Sequence, residues 1–119
     1  SSATSQGDAY YERGIYGKAI SEYQRGLSLD PQNPELRDRL ERARRTQARV
    51  EGEIASAGVR GDTFYEQGVY EKAIGEYQKG LSLDPSNEAL QKKIARARHA
   101  QAAEQKYGRQ SPASSRTKN

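Results

Sequence analysis

The sequence predicts an all-α protein, a short helical repeat of α-α hairpins with about six helices. Three observations predict it. Residues 7–33 (GDAYYERGIYGKAISEYQRGLSLDPQN) return at 61–87 (GDTFYEQGVYEKAIGEYQKGLSLDPSN), an offset of 54 with 19 of 27 positions identical. Apolar residues recur at steps of three and four, and no stretch alternates as a strand would. Glycine and proline fall where such helices should stop.

The elements follow in order. A short first helix ends at Tyr10 and Tyr11, before Gly14, because glycine takes left-handed dihedrals without a steric penalty. Tyr16, Ala19, Ile20, Tyr23 and Leu27 make one stripe of a second helix. Asp30-Pro31 ends it, since the residue before a proline is pushed out of the helical region. Asn33-Pro34 opens a third helix, where proline suits the first position. Its stripe is Leu36, Leu40, Ala43, Gln47, Val50 and Ile54, and its flanks carry Glu35/Arg39, Asp38/Arg42 and Glu41/Arg45 in the favourable acid-first order. The second copy repeats this from Leu90 to about Lys106. Gly52, Gly58 and Gly61 would each cost about 1 kcal/mol inside a helix. A break between Gly52 and Gly58 is therefore expected, although the spacing also allows one long helix over 35–67. The division expected is a flexible N-terminus at 1–6, a first three-helix unit at 7–60, a second at 61–107, and a disordered basic tail at 108–119.

Composition removes several function classes. The 119 residues contain no Cys and one His, His99. Thiol nucleophiles, zinc–thiolate sites and disulfides are excluded, and histidine-based triads or metal sites have nothing to build on. No metal or cofactor is expected. No apolar run is long enough to span a bilayer and no signal peptide is visible, so a cytoplasmic location is favoured. Leu, Ile, Val and Phe number only 16, but eight Tyr supply apolar ring area. Asp8/Glu12 could be read as paired acid/base groups, yet no nucleophile or pocket accompanies them. An enzyme is not expected.

The repeated positions resemble the tetratricopeptide (TPR) repeat, a family with a unit of about 34 residues in two antiparallel helices. Gly7, Tyr10, Tyr16, Ala19, Tyr23, Leu27 and Pro31 carry the resemblance in one copy, and Gly61, Phe64, Tyr70, Ala73, Tyr77, Leu81 and Pro85 in the other. Gly26 and Gly80 stand where alanine is more usual, and the period of 54 adds a long third helix to each hairpin. The resemblance implies a solenoid that binds a peptide or partner protein on the face of its first helices. Carried over by position, that face holds Asp8, Tyr11 and Glu12, then Asp62, Tyr65 and Glu66. Asp8 and Asp62 replace the asparagine, and Thr4 and Gly58 the lysine, that some members use to grip a C-terminal carboxylate. A carboxylate would repel such a tail, so a basic or polar partner is expected.

Charge is segregated. Residues 7–34 carry four acids and three bases, and 61–88 carry six and two. Residues 89–119 carry one acid and eight bases, among them Lys92, Lys93, Arg96, Arg98 and Lys106. Two alternatives to peptide binding follow. Acidic first helices could meet basic third helices of another copy, giving self-association by domain exchange or head-to-tail stacking. The basic C-terminal segment could bind nucleic acid weakly, although Tyr107 is its only aromatic residue and base stacking would be minimal.

Overall fold

The structure, a computed structural model, describes residues 1–108. Beyond Gly108, the expected basic tail with Arg109, Arg116 and Lys118 lies outside the described residues. Those described form five α-helices and no strand: α1 (Ser2–Glu12), α2 (Tyr16–Leu29), α3 (Pro34–Glu66), α4 (Tyr70–Leu83) and α5 (Glu88–Tyr107). Two compact units divide between Glu51 and Gly52. The first holds α1, α2 and the N-terminal half of α3. The second holds the rest of α3, α4 and α5.

Three expectations are corrected. The break between Gly52 and Gly58 is absent, and α3 runs unbroken for 33 residues, so there are five helices rather than six. Gly52 meets nothing within 4 Å, whereas a Cβ on Gly61 would lie 2.3 Å from the Tyr77 ring. The helix penalty at Gly61 is thus offset by a close approach that only glycine permits. Residues 1–6 are not a loose end: α1 begins at Ser2, and Ala3 is buried at the crossing with Gly26. The boundary also lies earlier than residue 60, because Ile54 and Ala57 pack within the second unit.

The helix ends have local causes. Gly14 and Gly68 adopt φ of 75° and 77°. At each, the following N–H reaches back five residues (Ile15 to Tyr10 and Val69 to Phe64, both 2.9 Å), while the glycine N–H bonds the carbonyl of Tyr11 or Tyr65 at 3.0 Å. This doubly bonded glycine stop satisfies carbonyls that the helix leaves open. Asn33 and Asn87 cap α3 and α5, accepting the N–H of Leu36 at 3.0 Å and of Leu90 at 2.9 Å.

Each unit has its own core. In the first, Ala19, Tyr23, Leu36 and Ala43 are buried, with Tyr10, Tyr11, Ile20, Leu27 and Leu40 packed around them. In the second, Ala73, Tyr77, Leu90, Ile94 and Ala97 are buried, flanked by Ile54, Phe64, Tyr65, Ile74 and Leu81. Small residues draw the helices together and one tyrosine ring fills each gap, which is how a chain poor in aliphatic residues closes a core. Burying one large side chain contributes roughly 1.5–3 kcal/mol.

Candidate functional site

The candidate site grows from the buried ring. Tyr23 lies where a Cβ on Gly7 would stand, and its hydroxyl emerges beside α1 and donates to Asp8 at 2.5 Å. Arg39 Nε lies 3.0 Å from the same carboxylate, and its guanidinium also pairs with Glu35. One turn along α1, Tyr11 bonds the Thr46 hydroxyl at 3.0 Å and meets Tyr16 edge to face at 5.3 Å. The Arg42 guanidinium stands 4.3 Å from the centre of the Tyr11 ring, within cation–π range. Asp8, Tyr11 and Glu12 of α1, with Glu35, Asp38, Arg39 and Arg42 of α3, line an open cavity of about 350 Å³.

The second unit repeats the frame with other charges. Tyr77 donates to Asp62 at 2.6 Å, and Lys93 Nζ lies 2.9 and 3.0 Å from the two Asp62 oxygens. Tyr65 meets Tyr70 at 5.3 Å, with Arg96 4.2 Å from the Tyr65 ring centre. The Tyr77 hydrogen bond, opposed by desolvation and aided by Lys93, holds the Asp62 carboxyl below its usual range. Burial, then the bond to Asp62, pushes the Tyr77 phenol up to about 12. Burial and Asp8 likewise push Tyr23 upward.

Of the six residues expected on the binding face, Asp8, Tyr11 and Glu12 meet in one cavity. Asp62 takes up a tyrosine hydroxyl as Asp8 does, Tyr65 keeps the ring contacts of Tyr11 but faces Ala100 in place of Thr46, and Glu66 is exposed at the end of α3. Asp8 and Asp62 also have a structural task, since each takes up a buried tyrosine's hydroxyl. Sequence reasoning missed the other wall. Glu35, Asp38, Arg39 and Arg42 lie at helical spacing, but basic residues all round that helix hid the stripe. Of the three expected pairs along α3, Glu35–Arg39 and Glu41–Arg45 form. Arg42 leaves Asp38 for the Tyr11 ring. Chemically the cluster is a network of hydrogen bonds and ion pairs centred on Asp8, Glu35 and Arg39. Among the described residues no group of His, Cys, Asp or Glu converges as a metal site, and no helix is long and apolar enough to cross a membrane.

Comparison with known proteins agrees with this architecture. The TPR repeat family model matches residues 7–39 and 61–101, more than half of the chain. Small glutamine-rich tetratricopeptide repeat-containing protein 2 of Mycosarcoma maydis is 28% identical over 95 residues. The match covers 67% of this chain and 27% of that protein, so the chain spans about a quarter of its relative's length. TPR repeats are in general protein-interaction modules.

Proposed function

From the premise that the chain belongs to the TPR repeat family, we propose that it is a non-catalytic interaction module binding a peptide or partner protein through its first-helix face. The contacts are Asp8, Tyr11 and Glu12 in the first unit and Asp62, Tyr65 and Glu66 in the second. The observation that carries this reading is the cavity of the first unit, where the three first-helix residues meet a polar wall from α3. It is lined by four carboxylates and two guanidinium groups, and one of those, Arg39, is already shared between Asp8 and Glu35. Glu12 and Asp38 enter no ion pair among the described residues and are left to meet lysine or arginine on a partner. That supports a basic or polar partner rather than a C-terminal carboxylate tail.

The test is a peptide array read against Glu12→Gln with Asp38→Asn. Both residues are exposed, so the fold should survive the change. Lysine- and arginine-bearing peptides should bind the parent protein and lose about tenfold in the double variant, a loss that shrinks at high salt. Basic peptides that bind both proteins equally would move the site elsewhere.

A further inference from the structure

The duplication supplies an internal comparison of groove charge. Four carboxylates and two guanidinium groups line the cavity of the first unit. The same positions of the second unit, 54 residues on, hold two carboxylates and three cations. Two exchanges make the whole difference. Ala89 stands in place of Glu35, and Lys92 in place of Asp38. Asp62, Glu66, Lys93 and Arg96 keep the sign of their counterparts. The net charge of the groove thus reverses from negative to positive.

The groups left open differ accordingly. In the first unit Arg39 is shared between Asp8 and Glu35, and Arg42 lies over the Tyr11 ring, which leaves Glu12 and Asp38. In the second, Lys93 holds both oxygens of Asp62, and Arg96 lies over Tyr65. Lys92 is exposed and enters no ion pair among the described residues, Glu88 one turn before it included. It stands one turn from the exposed Arg96 on the same face of α5, and like charges at that spacing repel. At the same two positions the first unit has Asp38 and Arg42, of opposite sign. An arriving carboxylate would offset the repulsion between Lys92 and Arg96, whereas an arriving ammonium would add a third like charge.

We infer that the two grooves have opposite preferences. The first takes a lysine or arginine side chain, and the second takes an aspartate or glutamate side chain, received by Lys92 beside Arg96. The exposed Glu66 at the end of α3 matches Glu12, so the sign is decided on α5 by Ala89 and Lys92. The pair Asp38 and Lys92 is the main determinant of specificity, because it alone reverses charge. This inference rests on the interaction-module reading and narrows it to a partner protein of mixed charge, with a basic stretch for one unit and an acidic stretch for the other.

The experiment uses the full chain, ¹⁵N-labelled, and two glycine–serine peptides with both ends blocked, one bearing lysines and the other glutamates. Blocked ends leave the side chains as the only charges. The lysine peptide should give saturable amide shifts at Tyr11, Glu12 and Asp38 but not at Tyr65 and Lys92. The glutamate peptide should do the converse, and both responses should weaken with salt. Ala89→Glu with Lys92→Asp then gives the second unit the charges of the first. Both positions are exposed, so the spectrum of the remaining core should stay in place. The lysine peptide should now shift both units, and glutamate binding at the second should fall about tenfold or more. A lysine peptide that shifts both units equally in the parent protein overturns the inference and leaves the interaction-module reading standing. One that shifts neither unit removes both. A glutamate peptide that leaves the second unit unmoved, or an exchanged variant that binds as the parent does, likewise overturns the inference.

Discussion

The two units share a buried frame and differ in what faces the groove. Gly7/Gly61, Tyr23/Tyr77 and Asp8/Asp62 keep residue type and geometry, with each ring over a glycine and each hydroxyl on a carboxylate. Across the groove, Glu35, Asp38, Arg39 and Thr46 of the first unit correspond to Ala89, Lys92, Lys93 and Ala100 of the second. One wall therefore carries both signs and the other is basic. The frame tolerates little, because a ring against a backbone leaves no room for a methyl group. Groove positions are partly exposed, so their charge can change without disturbing the core. The packing frame and the groove charges thus rest largely on different residues of each unit, with Asp8 and Asp62 belonging to both.

The strongest way to break that comparison is to overfill the shared frame. Gly7→Ala and Gly61→Ala each place a Cβ 2.3 Å from a tyrosine ring carbon. Each should destabilise by roughly 1–3 kcal/mol, as overpacking usually does, and by similar amounts. Urea unfolding of the two variants measures this. A large inequality would show that the two frames are not mechanically alike, and two neutral results would show that the ring has room to move.

The next prediction sharpens the comparison through pH. The Asp62 carboxyl is held below the usual carboxylate range, with the Tyr77 hydrogen bond as the leading cause. A depressed folded pKa contributes stability that is present above the unfolded value and lost as pH falls through the folded one. The Tyr77 phenol is raised from 10.0 to about 12. Its contribution is complete below pH 10 and lost as pH rises from 10 toward 12. Tyr77→Phe should cost about 1.5–3 kcal/mol at neutral pH for the lost hydrogen bond to a charged group. It should also remove the share of the alkaline slope that belongs to Tyr77, leaving that of Tyr23, so parent and variant converge near pH 12. Chemical denaturation at several pH values tests this; parallel curves across the alkaline window would contradict it.

The fold was legible because its signals are backbone signals. The glycine stops at Gly14 and Gly68, the Asn-Pro start at Asn33 and the 54-residue offset are local, and local structure obeys them. The reading failed at residues 1–6 and 52–58, where a partner overrides local preference. Ala3 is helical because Gly26 lies beneath it, and α3 crosses three glycines because Ile54, Ala57 and Gly61 have α4 and α5 to pack on. The α1 half of the groove could be placed by its position in the repeat. The α3 half could not, because Arg39 and Arg42 look like their solvated neighbours until Asp8 and Tyr11 are seen opposite them. Nor could sequence assign Asp8 and Asp62 their second task, which exists only once a buried hydroxyl needs an acceptor.

The smallest effect lies at the division between the units and has the opposite sign to the first. Gly52 is an exposed position inside α3 with no atom within 4 Å of where a Cβ would stand. Alanine there meets no neighbour and removes backbone freedom from the unfolded chain, so Gly52→Ala should stabilise by about 0.5–1 kcal/mol. The same substitution nine residues on, at Gly61, should destabilise, although both glycines lie in one continuous helix. The contrast isolates packing from helix propensity. It also bears on the continuity of α3, because alanine adds its helix-propensity advantage over glycine only where the backbone is helical. A neutral or negative result at Gly52, from urea unfolding or from the slowing of amide exchange at residues 50–55, would mean that the helix is interrupted between the units.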